Sequence, residues 1–365
     1  MSESSQADTT LITGASGFIG WRLTRALAAR GQPLALLVRP ASRDKLRRRL
    51  SGLGAERGAG VRLISGDLER PGLGLAADDR DWLRRRVTRI FHLAATYDMC
   101  AAEQQLERTN VAGTRQLLDE AAAMPQLDRF CHCSSIAVSG TFSGHFSESD
   151  FDRGQQPLHP YGRTKFEAER LARSSGLPLT VFRPGVVVGD SRSGEMDKID
   201  GAYLALAGLH AIRRLPGATR LPMIVPRDDA PLFHLVPVDF VAEAMAELGG
   251  LERSRGRTYH LTDPAPVSFR RFYLACLEEM GFGGPTIGRP VQRLVRLLLR
   301  PPLAGLLRRG GRRLGLPFDL LPHLVIEVTY DTAQTEADLA DSGLRCPPLL
   351  EVLPRLVAYF ERHLV

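Results

Sequence analysis

The sequence predicts an α/β fold: a doubly wound parallel sheet followed by a smaller, mainly helical C-terminal substrate region. Three observations carry that prediction. First, an apolar, β-branched run at Thr9–Thr13 leads directly into GASGFIG and then into an apolar-periodic stretch, Phe18–Ala29, the pattern of strand, tight turn and helix. Second, apolar runs without clean polar alternation recur at Leu34–Val38, Val61–Ile64, Arg89–Ala94, Arg129–Ser134 and Leu179–Arg183. Third, helical patterns lie between most of them, notably Ala102–Met124 and Tyr161–Ser174. Strands without a polar face, spaced by helices, belong in a parallel sheet covered on both sides, a Rossmann-type arrangement.

After Gly189 the alternation weakens. Val236–Leu248 reads as one more helix with an acidic first turn, and Arg257–Thr262 as a last strand. The expected nucleotide-binding domain therefore covers residues 8–190, with 236–262 returning to it. Residues 191–235 and 263–365 form the expected substrate-binding domain, and a chain of 365 residues is long enough for both. With 44% hydrophobic and 24% charged residues, the composition excludes fibrous and disordered classes. No segment has the roughly 18 uninterrupted apolar residues a membrane-spanning helix needs. The polar start MSESSQADTT lacks the order of a secretion signal, so a cytoplasmic protein is expected. The five cysteines are odd in number and show no CxxC spacing. Cys131 and Cys133 would share one face of a strand as small buried side chains, and no metal is expected.

Gly14, Gly17 and Gly20 form GxxGxxG at the first strand-to-helix turn. The chain must bend sharply there and let a pyrophosphate approach the positive end of the helix. At the end of the second strand, LLVRPASRDK offers Arg39, Ser42 and Arg43 where an NAD site would carry an acid. Guanidinium groups suit a ribose phosphate, which favours NADP(H); a solvated helix start is the alternative. Asp67, in ISGDL, stands either at the adenine edge or as a helix N-cap.

Tyr161 and Lys165 in YGRTK are spaced i, i+4, so on a helix both project from one face. A phenol of pKa ~10 needs its anion stabilised to exchange protons near neutrality, and an adjacent ammonium does this. Ser135, in CSSIAVSG at the end of the fifth strand, can donate a hydrogen bond to a carbonyl oxygen.

TGASGFIG, HLAA, NVAGT, SSIAVSG, YGRTK and RPGVVVG occur in the order seen in extended short-chain dehydrogenases/reductases, and over Thr9–Thr262 the chain resembles that family. The resemblance implies Tyr161 as acid–base, Lys165 as its partner, Ser135 as carbonyl anchor and Asn110 as a proton-relay or structural residue. It also places Ser16, Phe18 and Ile19 with the glycines at the cofactor, Leu68 beside Asp67, and Ala94, Ala95, Tyr161, Lys165, Pro184 and Val186 along the cofactor. Within the family, GDLERPGLGL (Gly66–Leu75), AATYDM, GDSRSGEMDKIDG and the ending from TYDTAQTEADL onward resemble the fatty acyl-CoA reductase and thioester reductase branch, the male-sterility-like group. That branch implies NADPH-dependent reduction of a fatty acyl thioester, on CoA or an acyl carrier protein, to aldehyde and onward to alcohol. The chain is shorter than the usual alcohol-forming relatives. A sterol or 3-oxo-lipid alcohol dehydrogenase shares the same site motifs. A nucleotide-sugar epimerase would retain NAD, against which Arg39 speaks. A non-catalytic dinucleotide sensor would be expected to lack Ser135, Tyr161 or Lys165. Extended members often pair into homodimers. Glu195, Asp197 and Lys198 in GEMDKID read either as ordering a loop over the substrate or as surface charge.

Between Gly281 and Phe318 there are eight arginines and no acid. Arg293, Arg296 and Arg300 would share one helical face, with Leu294, Leu297 and Leu298 on another. Such a segment, 291–316, suits peripheral contact with the inner membrane face, attraction of an acyl-CoA or acidic carrier protein, or ordinary packing on the substrate domain. Nucleic acid is not expected, because no aromatic residues interleave with the arginines.

Overall fold

The computed structural model describes residues 8–52, 60–97, 101–197, 201, 203–227, 231–290, 295, 297–298, 300 and 325–365. The chain runs β1 (Thr9–Thr13), α1 (Phe18–Ala29), β2 (Leu34–Val38), α2 (Pro40–Ser51), β3 (Val61–Ser65), α3 (Ala77–Arg86), β4 (Val87–His92), α4 (Gly113–Ala122) and β5 (Arg129–Cys133). It continues through β6 (Gly144–Phe146), α5 (Pro160–Arg173), β7 (Leu179–Pro184), β8 (Val186–Val188), α6 (Tyr203–Arg213), β9 (Met223–Pro226), β10 (Leu232–Phe233), β11 (Leu235–Pro237) and α7 (Val238–Leu248). Last come β12 (Thr258–Leu261), β13 (Val267–Ser268), α8 (Phe269–Glu279), β14 (Thr286–Arg289), β15 (Val328–Tyr330), α9 (Ala333–Leu339) and α10 (Leu349–His363).

Seven parallel strands make the central sheet in the order β12-β7-β5-β4-β1-β2-β3. β1, β2, β5 and β12 are buried at every residue, as strands covered on both faces must be. The order reverses between β1 and β4, and that switch opens a crevice at the carboxyl ends of the strands. α1 turns Leu23, Ala26 and Leu27 inward and packs chiefly on α7, which is buried along most of its length. That packing explains why the chain returns to the sheet after residue 235.

β4 begins two residues before its expected start and ends at His92, so Ala94 and Ala95 lie in the loop beyond it. The expected helix Ala102–Met124 is broken by a π-helical turn, Glu107–Ala112, ahead of α4. A separate apolar cluster joins Val188, Tyr203, Leu206, Phe272, Leu353 and Phe360. Four two-stranded pairs, β8·β11, β9·β14, β10·β13 and β6·β15, lie outside the central sheet, and the sequence pattern did not anticipate them. Strands of two to four residues are too short to show periodicity. Among the described residues no helix is long and apolar enough to cross a membrane.

Candidate active site

Because the sheet is parallel, residues that follow neighbouring strands gather on one edge. Gly14 follows β1, Arg39 β2, Ala94 and Ala95 β4, and Ser135 β5, while Pro184 ends β7; the topology sets them side by side around the switch crevice. Gly14 has φ +77°, and a Cβ there would lie 2.6 Å from the Ala94 amide nitrogen. A Cβ on Gly20 would strike the Gly14 carbonyl. Gly17 donates its amide to Gly14 O at 2.9 Å and opens α1 without a side-chain cap. The first turn of α1, with Phe18, Ile19 and Gly20, holds no acid. Uncapped amides at a helix start, reached through a turn with no room for side chains, fit a pyrophosphate.

Arg39 is exposed at the start of α2, and Arg43 donates to Ser65 Oγ at 2.6 Å at the end of β3. Asp67 is half-buried and accepts the Glu69 amide at 3.0 Å, so it caps its own turn, while Leu68 beside it is buried. Arg49, which the sequence reading did not single out, donates to the Ser16 carbonyl at 3.1 Å and lies 3.8 Å from Asp197. Arg22 donates to Glu195 O at 3.2 Å and pairs with its carboxylate at 3.4 Å. Glu195 and Asp197 thus tie the GEMDKID loop to the two helices flanking the glycine turn. Lys198 lies outside the described residues, as does nearly all of 291–316. Pro184 is buried, and half-buried Val186 donates its amide to His234 O at 2.8 Å.

Tyr161 stands in the first turn of α5, where Pro160 occupies a position that needs no N–H. His159 caps the helix, its Nδ1 accepting the Tyr161 amide at 3.0 Å. One turn on, Lys165 is buried and its ammonium donates to Cys133 O at 2.5 Å. Burial pulls the Lys165 pKa down, with Cys133 and Glu169 opposing. Burial pushes the Tyr161 phenol well above its ordinary range, and the neighbouring Tyr97 adds to this, while a hydrogen bond with Ser135 works against it. The Tyr97 ring meets that of Tyr161 edge-on at 5.3 Å. Ser135 Oγ accepts the Ala137 amide at 3.1 Å, which leaves its hydrogen free to donate.

Asn110 projects from the π-helical turn and is buried. Its Oδ1 accepts the Thr96 amide at 2.7 Å, and its Nδ2 donates to Thr164 Oγ1 at 3.0 Å, joining the loop after β4 to α5. Behind it runs a directional chain. Thr114 Oγ donates to Asn110 O at 2.6 Å, so His92 Nε2, 2.9 Å from that hydroxyl, is the protonated nitrogen. His92 Nδ1 then accepts from Thr13 Oγ1 at 2.7 Å, and Thr13 accepts the Ala94 amide at 3.3 Å. Burial, helped by Lys165, lowers the His92 pKa to about 3, which keeps the ring neutral as this chain requires.

Two supports of the site come from far along the chain. β15 pairs with β6 and brings the Tyr330 hydroxyl 2.6 Å from Ser139 Oγ and 3.2 Å from Ile136 O, on the turn that Ser135 caps. The segment beyond is pinned by Glu148, which accepts from Gln334 N at 2.8 Å and His260 N at 3.0 Å. No local periodicity marks either residue, although the TYD run in the ending was a legible landmark. Tyr330→Phe keeps the ring packed against His234 and Phe146 but removes the hydroxyl. We expect kcat to fall about three- to tenfold, the worth of one neutral hydrogen bond, with KM unchanged. Steady-state kinetics beside a melting curve check this; a change confined to KM would refute it.

The site defines a class: a nicotinamide-dinucleotide oxidoreductase of the extended short-chain dehydrogenase/reductase type. The chain belongs to the male sterility protein family, whose model matches residues 12–245. It is 28% identical over 310 residues to the glycine betaine reductase ATRR of Emericella nidulans, covering 79% of this chain and 23% of that one. It is 28% identical over 248 residues to the fatty acyl-CoA reductase wat of Drosophila melanogaster, covering 58% of this chain and 46% of that one. The crystal structure of the terminal R domain from the myxalamid PKS-NRPS pathway superposes with TM-score 0.79 and 25% identity, covering 99% of this chain and 93% of that one. The chain thus spans less than half the length of these two curated relatives, and its nucleotide-binding domain is of the thioester reductase type.

Proposed function

We propose that the chain is an NADPH-dependent reductase of a hydrophobic carbonyl substrate, namely a fatty acyl thioester on CoA or an acyl carrier protein, reduced to the aldehyde, with a second hydride transfer from a second NADPH giving the alcohol. The observation that carries this reading is the meeting of Tyr161, Lys165 and Ser135 at the carboxyl edge of the sheet, beside the glycine turn, in a chain related to a fatty acyl-CoA reductase. The nicotinamide, when bound, supplies the hydride. Ser135 and Tyr161 donate hydrogen bonds to the thioester oxygen as it gains charge, and the protonated phenol gives its proton to that oxygen. Lys165 steadies the phenolate that remains. When the carbonyl re-forms, the hydroxyl proton returns to the Tyr161 phenolate, the carbon–sulfur bond breaks, and the departing thiolate takes a proton from solvent. On this reading Asn110 holds the loop after β4 against α5, and residues 191–235 and 263–365 bind the acyl chain.

Following NADPH absorbance across long-chain acyl-CoAs, fatty aldehydes, sterols and 3-oxo lipids tests the proposal. Oxidation driven by acyl-CoA supports it, and turnover with ketones or sterols alone refutes the thioester assignment. In support of NADPH preference, Arg39 and Arg43 follow β2, where a site that prefers NAD carries an acid. Converting both to alanine should raise the KM for NADPH about ten- to a hundredfold, the worth of charged hydrogen bonds, and leave NADH little changed. An equal effect on both cofactors would remove the arginines from phosphate recognition.

A further inference from the structure

We propose that the surface formed by the end of α6, the turn after it and the β9·β14 pair seats on an anionic lipid bilayer. Large apolar side chains are seldom left exposed together on a soluble protein without a partner. Eight are exposed among the described residues, and six of them, Ile212, Leu215, Leu221, Ile224, Ile287 and Leu297, fall in this one part of the chain. Backbone bonds link Ile212, Leu215 and Leu221 in succession, Leu215 N donating to Ile212 O at 3.0 Å. Leu215 O accepts Ala218 N at 3.1 Å, and Ala218 O accepts Leu221 N at 3.1 Å, leading into β9. Across the strand pair Ile224 stands in register with Ile287, at 60% and 39% exposure. Met223 and Val225, on either side of Ile224, are buried, so the strand offers one face to the second core and the other outward.

The charge is as uneven as the apolar surface. The described residues of 203–227 and 281–300 include Arg213, Arg214, Arg220, Arg227, Arg289 and Arg300 and no acid. Arg214, Arg220, Arg227 and Arg289 are exposed among the aliphatic residues. Only Arg213 is taken up by an acid there among the described residues, by Glu361 at 2.6 Å. Aliphatic side chains that enter the acyl boundary, rimmed by guanidiniums that pair with headgroup phosphates, are the physical requirements of an interfacial site. The six exposed apolar residues of this surface include no aromatic ring for stacking, which disfavours a nucleic acid.

Flotation of the full chain with phosphatidylglycerol–phosphatidylcholine vesicles, against phosphatidylcholine alone, tests the inference. The protein should float with the anionic vesicles only, and be released by salt. Ile224→Glu with Ile287→Glu should cut partitioning more than about tenfold at an unchanged melting temperature, since both positions are exposed. Failure to float, equal flotation with neutral vesicles, or equal flotation of the variant would overturn the proposal. Capture by an acidic carrier protein in place of vesicles, lost in the same variant, would reassign the surface to protein docking and also overturn it. Flotation needs no turnover, whereas NADPH oxidation with a water-soluble thioester, measured without vesicles, reads the proposed reaction separately.

Discussion

Tyr161→Phe is expected to lower turnover about 10²- to 10⁴-fold, the contribution of a positioned acid, far more than it weakens NADPH binding. The phenol is held protonated and hydrogen-bonds with Ser135. A protonated phenol can give a proton to a nascent alkoxide, and phenylalanine cannot. The change spares the fold, because the ring keeps its edge contact with Tyr97 and α5 keeps its cap from His159. Fluorescence titration with NADPH beside single-turnover kinetics separates binding from chemistry. Retained turnover would remove Tyr161 from the reaction, and lost NADPH binding would make its role structural.

The largest effect on stability is expected at Glu169. Its carboxylate and the Arg183 guanidinium are both fully buried, 2.6 Å apart, and Arg173 adds a contact at 2.8 Å. Arg183 also donates to Asp150 O at 2.7 Å, anchoring β7 to the segment after β6. Glu169→Ala strands a buried guanidinium, which costs about 3–5 kcal/mol. Denaturant unfolding should show the midpoint fall accordingly, with Glu169→Gln intermediate. The arginines, Arg183 first, hold the Glu169 pKa below its ordinary value despite the opposing effect of burial. Its contribution is therefore full above the ordinary carboxylate range and is lost as the pH falls through the lowered value. The alanine variant should lack that acid-side decline, and a loss below about 1 kcal/mol at neutral pH would show that the pair is already compensated by its surroundings.

Much of this molecule was legible in its residues. The run Thr9–Thr13, the glycines at 14, 17 and 20 and the helix after them are joined by the chain itself, so pattern and turn chemistry within some ten residues determine them. The i, i+4 spacing of Tyr161 and Lys165 likewise needs only a helix, and strands without a polar face imply a sheet covered on both sides. Other features depended on neighbours distant in sequence. The π-helical turn that aims Asn110 at Thr96 and Thr164 interrupts what reads as one continuous helix. Tyr330 reaches Ser139 across 191 residues through two strands of three residues each, too short to carry a period. Glu169 reads as an ordinary charge on an amphipathic helix until Arg183 is packed against it. The sequence by itself determined the strands of the central sheet, most of the helices and the glycine turn, because those depend on local backbone preference and hydrophobic pattern. Only the tertiary structure decided which buried polar groups meet, because a hydrogen bond or ion pair depends on position in space and leaves no periodic trace along the chain.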